Sequence, residues 1–341
     1  MRIGVRRGSD HRLVEAALTG DAGESPQPAA AADGAAAASA PSAAAEGAAH
    51  LQPGRPLRGR FAVTRKDRLT SRKGSPYIVV ELRDRTGSIE ARIFREADQL
   101  GARFERGDAI EVRGKVERFR GELQAEITAL RKLKPGSFDP AEFLPAAYRS
   151  VEELDGFLEH LSREIHDAGL AAVVEGVLGA EPVATELRRA PCTRAGHHAY
   201  LGGLLEHTVA VATLVGELCV LHPRLDSDLL MAAALLHDIG KTREFTYGAD
   251  FGISDEGRLL GHLQIGAQLI GGCAATQRLP EARRLALLNC VLSHHGPEAA
   301  GRARPSGPGG GSGFATPEAM ALFRLNALDA SVKGALEHGF R

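Results

Sequence analysis

Five histidines and two aspartates in the second half of the sequence fall where the local pattern predicts buried helix faces. His237 and Asp238 end the apolar run of LLHDIGK (235–241), and His207 shares a helical stripe with Leu204 and Val211. The complete set is His207, His237, Asp238, His262, His294, His295 and Asp329. One inward histidine is usually a hydrogen-bonded core residue. Seven buried polar residues would each need a partner, so the set predicts a shared metal centre.

The spacing also predicts how ions would be shared. Adjacent helical residues lie about 100° apart, so we expect His237 and Asp238 to bind two neighbouring ions, with the Asp238 carboxylate bridging them. His207 and Asp329 would complete one site. The other site would be completed by His262, His294 and His295. Imidazole with carboxylate favours Mn²⁺, Fe²⁺, Co²⁺ or Zn²⁺.

Three further residues near these ligands could contact a phosphate. Lys241 lies one helical turn beyond His237. Lys241 and Asp238 are the predicted catalytic residues. Lys241 would neutralise the phosphate or the leaving oxygen, or else be an exposed lysine that follows the helix. His197 and His198 would contact phosphate or lie on a surface loop. The four cysteines form no CxxC pair, so we expect reduced thiols rather than disulfides or a thiolate zinc site.

The elements that must position these residues form two regions with different periods. From residue 57 to 133, apolar residues alternate with polar ones, which predicts β-strands. Strands are predicted at 57–65, 77–84, 88–94, 108–119 and 122–133, with a short helix at 96–104. Their predicted inward residues are Leu57, Phe61, Val63, Ile78, Val80, Leu82, Ile89, Ala91, Ile93, Ile110, Val112, Val116, Leu123, Ala125 and Ile127. Five strands with a helix between the third and fourth is the order of an OB-fold barrel.

After a proline-rich linker at 135–149, the hydrophobic period becomes 3.6 residues. Ser150 and Glu153 form a capping box that begins the first helix. Further helices are predicted at 203–222, 228–239, 258–275, 280–295 and 317–333. The predicted fold class is therefore multidomain, with a small all-β OB-fold barrel (55–134) followed by an all-α helical bundle (150–341). The Ala/Gly/Pro-rich segment 1–54 is expected to be a disordered leader, or the result of a start codon placed too early.

The barrel region is basic, although the chain as a whole has a net charge of −1. Residues 55–134 contain 21 Lys and Arg against 12 Asp and Glu, which suits a polyanionic partner. The residues predicted to bind nucleic acid lie on the second and third strands and in two loops: Tyr77, Arg92, Phe94, Arg65, Lys66, Arg72, Lys73, Arg118, Phe119 and Arg120. Such aromatic and cationic side chains stack on bases and neutralise phosphates. The alternative is an ordinary solvated basic surface.

No segment has the pattern of a signal peptide, and no run of about 18 continuous apolar residues predicts a membrane span. We therefore expect a cytoplasmic protein that does not associate with membranes.

The histidines and aspartates also carry a resemblance to a known family. The order His207, His237-Asp238, Asp329 is similar to the H…HD…D pattern of HD-domain metal-dependent phosphohydrolases. The segments HHAYLGGLLEHT (197–208), LLHDIGK, GRLLGHLQIG (257–266), SHHG (293–296) and TPEAMALFRLNALDA (316–330) resemble the YhaM-type family, in which an OB fold precedes an HD domain. The resemblance covers residues 57–334.

This resemblance implies a 3′-to-5′ exoribonuclease that uses Mn²⁺, with the helical region as an HD domain that holds two metals. The implied substrate is single-stranded RNA, with single-stranded DNA as an alternative, and the implied products are nucleoside 5′-monophosphates. Homo-oligomerisation is a further option. Two departures stand out: Asn326 occupies a position where the family tends to have aspartate, and the loop 297–315 is unusually rich in Gly, Pro and Arg.

Two other functions are compatible with the same residues. The first is an HD hydrolase of small or cyclic nucleotides, with the barrel as a regulatory sensor. The second is a non-catalytic nucleic-acid-binding protein in which the metal site is structural. The seven intact candidate ligands argue against the second.

Overall fold

The computed structural model describes residues 47–299 and 313–339. Most of the predicted leader (1–54) and most of the loop 297–315 therefore lie outside the described residues. The domain boundaries that we inferred from composition stay predictions.

The first part of the described chain is a closed five-stranded barrel. Its strands follow the spatial order β1-β2-β3-β5-β4 and close by pairing of β1 with β4. Only the pairing of β3 with β5 is parallel. The elements are β1 (Pro56–Thr70), β2 (Pro76–Asp84), β3 (Gly87–Ile93), α1 (Ala97–Gly101), β4 (Ala109–Phe119) and β5 (Glu122–Lys132). The predicted OB fold is confirmed.

Alternation of the side chains places the predicted inward residues in the barrel core, with one exception. Leu123 is 37% exposed, because it pairs with Arg118 beside the β4–β5 turn and so lies beyond the filled part of the barrel. Gly114 marks a register shift in β4, where a Cβ atom would lie 2.0 Å from the Glu126 carbonyl oxygen. The barrel can curve at this point because glycine permits that close approach.

The second part of the described chain is a helical bundle with one small hairpin. Its elements are α2 (Val151–Arg163), α3 (Ala168–Leu178), α4 (Val183–Leu187), α5 (Gly203–Leu221), α6 (Ser227–Leu236), α7 (Lys241–Glu244), β6 (Phe245–Tyr247), β7 (Phe251–Ile253), α8 (Asp255–Gly272), α9 (Ala274–Arg278), α10 (Glu281–Ser293) and α11 (Pro317–His338). Helix α6 ends at Leu236, earlier than predicted, so His237 and Asp238 occupy a turn. The β6–β7 hairpin and the short helices α3, α4, α7 and α9 were not predicted as separate elements.

Helix α6 forms the centre of the bundle, since every residue from Leu229 to Leu236 is buried. Helix α5 is long and apolar enough, by length and composition, to cross a membrane. It packs against α6, α11 and α2. It also carries the buried His207 into the interior. We therefore interpret α5 as a core helix of the bundle.

The barrel and the bundle meet at a small apolar cluster. Ala62 and Leu133 from the barrel pack with Phe143 of the linker and Ala249 of the hairpin loop. Arg83 of β2 donates a hydrogen bond to Asp250 Oδ1 at 3.3 Å. The linker and the hairpin loop therefore connect the barrel to the bundle through packed side chains.

Candidate active site

The structure gathers the predicted histidines and aspartates from α5, the α6–α7 turn, α8, α10 and α11. Asp238 lies at the centre, with a side chain only 1% exposed. Its Oδ1 faces His262 Nε2 at 3.5 Å and His294 Nε2 at 3.3 Å. Its Oδ2 faces His207 Nε2 at 3.6 Å and His237 Nε2 at 3.4 Å. The two oxygens therefore face two different groups of imidazoles.

These groups define two donor sets. We call Asp238, His262, His294 and His295 the α8–α10 set, and His207, His237 and Asp238 the α5–α6 set; the ligand atoms of each lie within 4.8 Å of one another. Donors bound to one ion at about 2.1 Å lie roughly 3.0–3.4 Å apart. The separations of 3.0 Å between His262 Nε2 and His295 Nε2 and 3.2 Å between His207 Nε2 and His237 Nε2 fit that spacing.

Hydrogen bonds at the far ring nitrogens leave the inward nitrogens free to bind a cation. His237 Nδ1 donates to the Ala234 carbonyl oxygen at 2.7 Å, and His294 Nδ1 donates to that of Val291 at 2.6 Å. Each Nε2 therefore presents a lone pair. Among the described residues, Asp238 Oδ1 and His294 Nε2 have no hydrogen-bond partner. Two acceptors that face each other in a buried site are best satisfied by a shared cation, so the residues fit a divalent metal.

Two carboxylates lie behind the imidazoles. His207 Nδ1 donates to Asp329 Oδ2 at 2.6 Å, and Glu244 contacts His262 Nδ1 at 3.2 Å. Asp329, predicted as a ligand beside His207, faces the outer nitrogen of that ring, where it forms a further group of possible ligands with His198 and His207 rather than with His237 and Asp238. The cause is the short hydrogen bond to Nδ1, which turns Nε2 toward Asp238. Asp329 and Glu244 orient the rings and increase the basicity of their inward nitrogens.

Asn326 completes the α5–α6 set, although we did not predict it as a ligand from the sequence. Its side chain is buried, and its Oδ1 lies 3.0 Å from His207 Nε2. Nδ2 donates to the His294 carbonyl oxygen at 3.3 Å, which fixes the orientation of the amide. The spacing of Asn326 three residues before Asp329 on one helix was the signal that could have indicated it.

Lys241 is buried beside Asp238 rather than exposed. Its Nζ donates to Asp238 Oδ2 at 2.6 Å and to Cys192 Sγ at 3.4 Å. Burial lowers the pKa of Lys241, but Asp238 outweighs burial and raises that pKa above its ordinary value. Burial raises the pKa of Asp238, yet the Lys241 ammonium holds it well below its ordinary value. The two groups therefore form a buried ion pair.

The two histidines predicted to contact phosphate lie in different places. His197 lines the cleft, with Nε2 3.5 Å from Cys192 Sγ. His198 is 1% exposed, and its ring lies behind the site between Tyr200, at 2.8 Å, and Asp329, at 3.0 Å. The structure therefore places His198 with the groups that orient His207, outside the lining of the cleft.

Burial keeps several of the imidazoles neutral. It lowers the pKa of His294 to about 3 and that of the half-buried His197 to about 4. His295 is exposed, in contrast to the buried helix face that the sequence predicts for it. The pKa of His207 is also lowered, mainly by burial. Neutral imidazole is the form that binds metals, so these ligands remain available near pH 7 without further deprotonation.

Two glycines let the helices approach closely enough to form the site. A Cβ atom at Gly240 would lie 2.0 Å from the His262 carbonyl oxygen, so only glycine permits the contact between the α6–α7 turn and α8. Gly261 has a φ of +70° and breaks α8 immediately before His262. That break lets the His262 backbone N–H donate to Glu244 Oε1 at 3.2 Å.

A cleft of about 550 Å³ opens above the donor atoms. Its outer wall includes Phe245 and Ile253 from the hairpin and Phe323 from α11, with Arg194 at the rim. The floor includes Lys241, His262, His294, His295 and Asn326. A cleft of this size can hold a terminal nucleotide while the donor atoms face its phosphate.

The barrel carries an aromatic and basic face. Tyr77 stacks on Phe94 with ring centroids 5.6 Å apart, and Arg92 lies over the Phe119 ring at 5.3 Å. Phe94 and Phe119 are each 49% exposed. Arg120 also lies over Phe119, at 5.4 Å. Exposed aromatic rings bordered by guanidinium groups provide stacking surfaces for unpaired bases.

The other predicted barrel residues are placed less uniformly. Arg72 and Lys73 are exposed in the β1–β2 loop, and Arg118 is exposed at the end of β4. Arg65 pairs with Asp67 at 3.1 Å and with Glu90 at 3.0 Å.

Lys66 is placed differently from the prediction. Its Nζ donates to the carbonyl oxygens of Gly101 and Phe104, and it pairs with Glu105 at 3.0 Å. Lys66 therefore secures the segment that follows α1, because its donors are occupied by the barrel itself.

Comparisons with known proteins agree with this two-part architecture. Residues 58–133 match the model of an OB-fold nucleic acid binding domain, and residues 204–330 match the model of the HD domain. The HD domain implies dependence on a divalent metal. Among solved structures, the second OB-fold domain of replication protein A from Methanococcus maripaludis is similar at 21% identity, with a TM-score of 0.22, over 27% of this chain and 95% of that chain.

Several curated relatives are similar over most of the chain, and each is described as a 3′-5′ exoribonuclease YhaM. The protein from Oceanobacillus iheyensis is 30% identical over 71% of this chain and 76% of its own length. That from Halalkalibacterium halodurans is 27% identical over 73% and 78%, and that from Shouchella clausii is 28% identical over 73% and 78%. The similarity spans both the barrel and the bundle, so this chain belongs to the YhaM family.

Proposed function

We propose that this chain is a metal-dependent 3′-to-5′ exoribonuclease that shortens single-stranded RNA and releases nucleoside 5′-monophosphates. The observation that carries the proposal is the pair of donor sets that share Asp238, beside a cleft lined by His262, His294, His295 and Asn326. Membership of the YhaM family supports the reaction and its direction. The stacking face of the barrel supports a polymeric, single-stranded substrate, with single-stranded DNA as a second substrate.

We infer two divalent ions, with Mn²⁺ favoured and Fe²⁺, Co²⁺ or Zn²⁺ as alternatives. The α8–α10 set would hold one, and the α5–α6 set with Asn326 would hold the other. When bound, such ions polarise a phosphoryl oxygen and lower the pKa of water, which supplies hydroxide for in-line attack. No cysteine thiolate is needed, and burial raises the pKa of the neighbouring Cys192 to about 12, so this thiol stays protonated.

The residues of the chain supply position and charge. Asp238 contributes one oxygen to each donor set. Asp329 and Glu244 hold the rings of His207 and His262, respectively, in a fixed orientation. Lys241 holds Asp238 in place and lies close enough to the cleft to meet a phosphate oxygen.

A digestion assay tests this proposal. RNA labelled at its 5′ end is incubated with the protein and Mn²⁺, with and without a chelator. We expect a ladder that shortens progressively from the 3′ end and that disappears with the chelator. Internal cuts, or hydrolysis confined to mononucleotides or cyclic dinucleotides, would contradict the proposal. The second of these results would favour a small-nucleotide hydrolase with a regulatory barrel.

A further inference from the structure

Asn326, which completes the α5–α6 set, offers an amide where a carboxylate would add a negative charge. Asn326 Oδ1 faces His207 Nε2 at 3.0 Å, and its Nδ2 is committed to the His294 carbonyl oxygen. The amide oxygen can bind a cation, but it contributes no net charge. Asp329 lies behind the His207 ring, so its charge acts on a cation at the inward nitrogen from across that ring.

The two sides of Asp238 also differ. Oδ2, which faces the α5–α6 set, already accepts a hydrogen bond from the Lys241 ammonium at 2.6 Å. Oδ1, which faces the α8–α10 set, has no hydrogen-bond partner among the described residues. A cation in the α5–α6 set must therefore share its carboxylate oxygen with an ammonium group. A cation in the α8–α10 set meets a free oxygen and three imidazoles.

These contacts predict unequal affinities for two dications. The first ion would enter the α8–α10 set, where Lys241 lies on the far side of the carboxylate. A second ion would lie beside both the first ion and the buried ammonium, with Asn326 offering no charge to offset them. Positive charges that lie next to one another repel strongly in a buried site. An anionic phosphate entering the cleft would supply the missing negative charge and a new partner for Lys241.

We propose that the two positions fill in order: the α8–α10 set binds a divalent ion in the free protein, and the α5–α6 set fills only when a phosphate group occupies the cleft. This inference rests on the two-ion site of the proposed function and adds substrate-coupled metal loading to it. The second ion would then be in place only when a phosphodiester is present to be cleaved.

Mn²⁺ binding to the full chain tests the proposal without reference to turnover. The metal-free protein is titrated with Mn²⁺, free Mn²⁺ is counted by its paramagnetic resonance signal, and the titration is repeated with inorganic phosphate and with uridine 5′-monophosphate. We expect one ion per chain without anion, a second ion at least tenfold tighter with either anion, and a signal of a coupled Mn²⁺ pair only in the second case. Two equally tight ions without anion, or a second ion that the anions do not tighten, would overturn the proposal.

Two variants examine the cause. Asn326→Asp adds the absent charge, and Lys241→Met removes the competing ammonium, so each should tighten the second ion at least tenfold without phosphate. Gln264→Glu is the matched control, since it adds the same charge on α8 at an exposed position outside both donor sets. It should leave the titration unchanged. If neither Asn326→Asp nor Lys241→Met tightens the second ion, the proposed cause is wrong; the RNA ladder separately decides whether the proposed function fails.

Discussion

Asp238→Asn removes the one charged group that both donor sets share, and its effect can be estimated from the contacts. The carboxylate is 1% exposed and lies 2.6 Å from the buried Lys241 ammonium. Removing one partner of a buried ion pair leaves the other charge uncompensated, at a cost of about 3–5 kcal/mol. We therefore expect the free energy of unfolding of the metal-free protein to fall by about that amount.

Turnover should fall much further than RNA binding. Without the bridging charge neither ion is held correctly, and we expect a loss of at least about 10³-fold in rate, equivalent to roughly 4 kcal/mol. The affinity for single-stranded RNA should change by less than about threefold, because the barrel supplies most of the contacts that bind the RNA.

Three assays on one protein preparation test this prediction: urea unfolding, the 5′-labelled RNA ladder and fluorescence anisotropy with labelled RNA. The double variant Asp238→Asn, Lys241→Met serves as the control. It should recover most of the lost stability, since the unpaired ammonium is gone, and it should remain inactive. Full activity of Asp238→Asn would refute the assignment of the site, and an inactive variant of unchanged stability would refute the energetic role of the Asp238–Lys241 pair.

Three further predictions concern the barrel and the buried imidazoles. Phe94→Ala combined with Phe119→Ala should weaken RNA binding by about 1–3 kcal/mol per lost base stack, measured by anisotropy, while hydrolysis of a small phosphodiester stays unchanged; equal loss in both assays would contradict a role confined to the barrel. Lys66→Ala should lower the melting temperature and leave the salt dependence of RNA binding unchanged, because its donors already bind barrel carbonyl groups; a shallower salt slope would place Lys66 on phosphate instead. In the metal-free protein, His294 has a pKa of about 3 against an ordinary 6.5, so the unfolded chain takes up its proton first as pH falls. Its contribution to stability is complete above pH 6.5 and is lost toward pH 3, at up to about 1.4 kcal/mol per pH unit, and His294→Gln should flatten that part of the unfolding profile.

The fold could be predicted from the sequence wherever side-chain periodicity dominates. The barrel strands alternate cleanly because one face of each fills a single core, and the long helices carry continuous apolar stripes. Leu123 shows the limit: alternation places it inward, but its position next to a turn decides its exposure. The β6–β7 hairpin was missed because three-residue strands are too short to show a period.

The sequence indicated which residues form the site better than it indicated how their side chains are arranged. Periodicity indicated which helix faces carry His207 and Asp329, but it could not show which nitrogen of the His207 ring faces inward. The hydrogen bond from His207 Nδ1 to Asp329 decides that point, and it moves Asp329 behind the ring. As a result, Asn326 rather than Asp329 lies next to the inward nitrogen, His207 Nε2. Lys241 was open between a phosphate contact and an exposed position because a lysine is rarely buried without a partner. The partner, Asp238, becomes evident only once the turn after α6 is seen.

The most direct test of the central claim is a crystal structure of the protein with Mn²⁺ and uridine 5′-monophosphate, with the ions located by their anomalous scattering. We expect two peaks on either side of Asp238, one among His262, His294 and His295 and one among His207, His237 and Asn326, with the phosphate between them. Peaks bound elsewhere, or imidazoles of these two groups turned away from Asp238, would contradict the account.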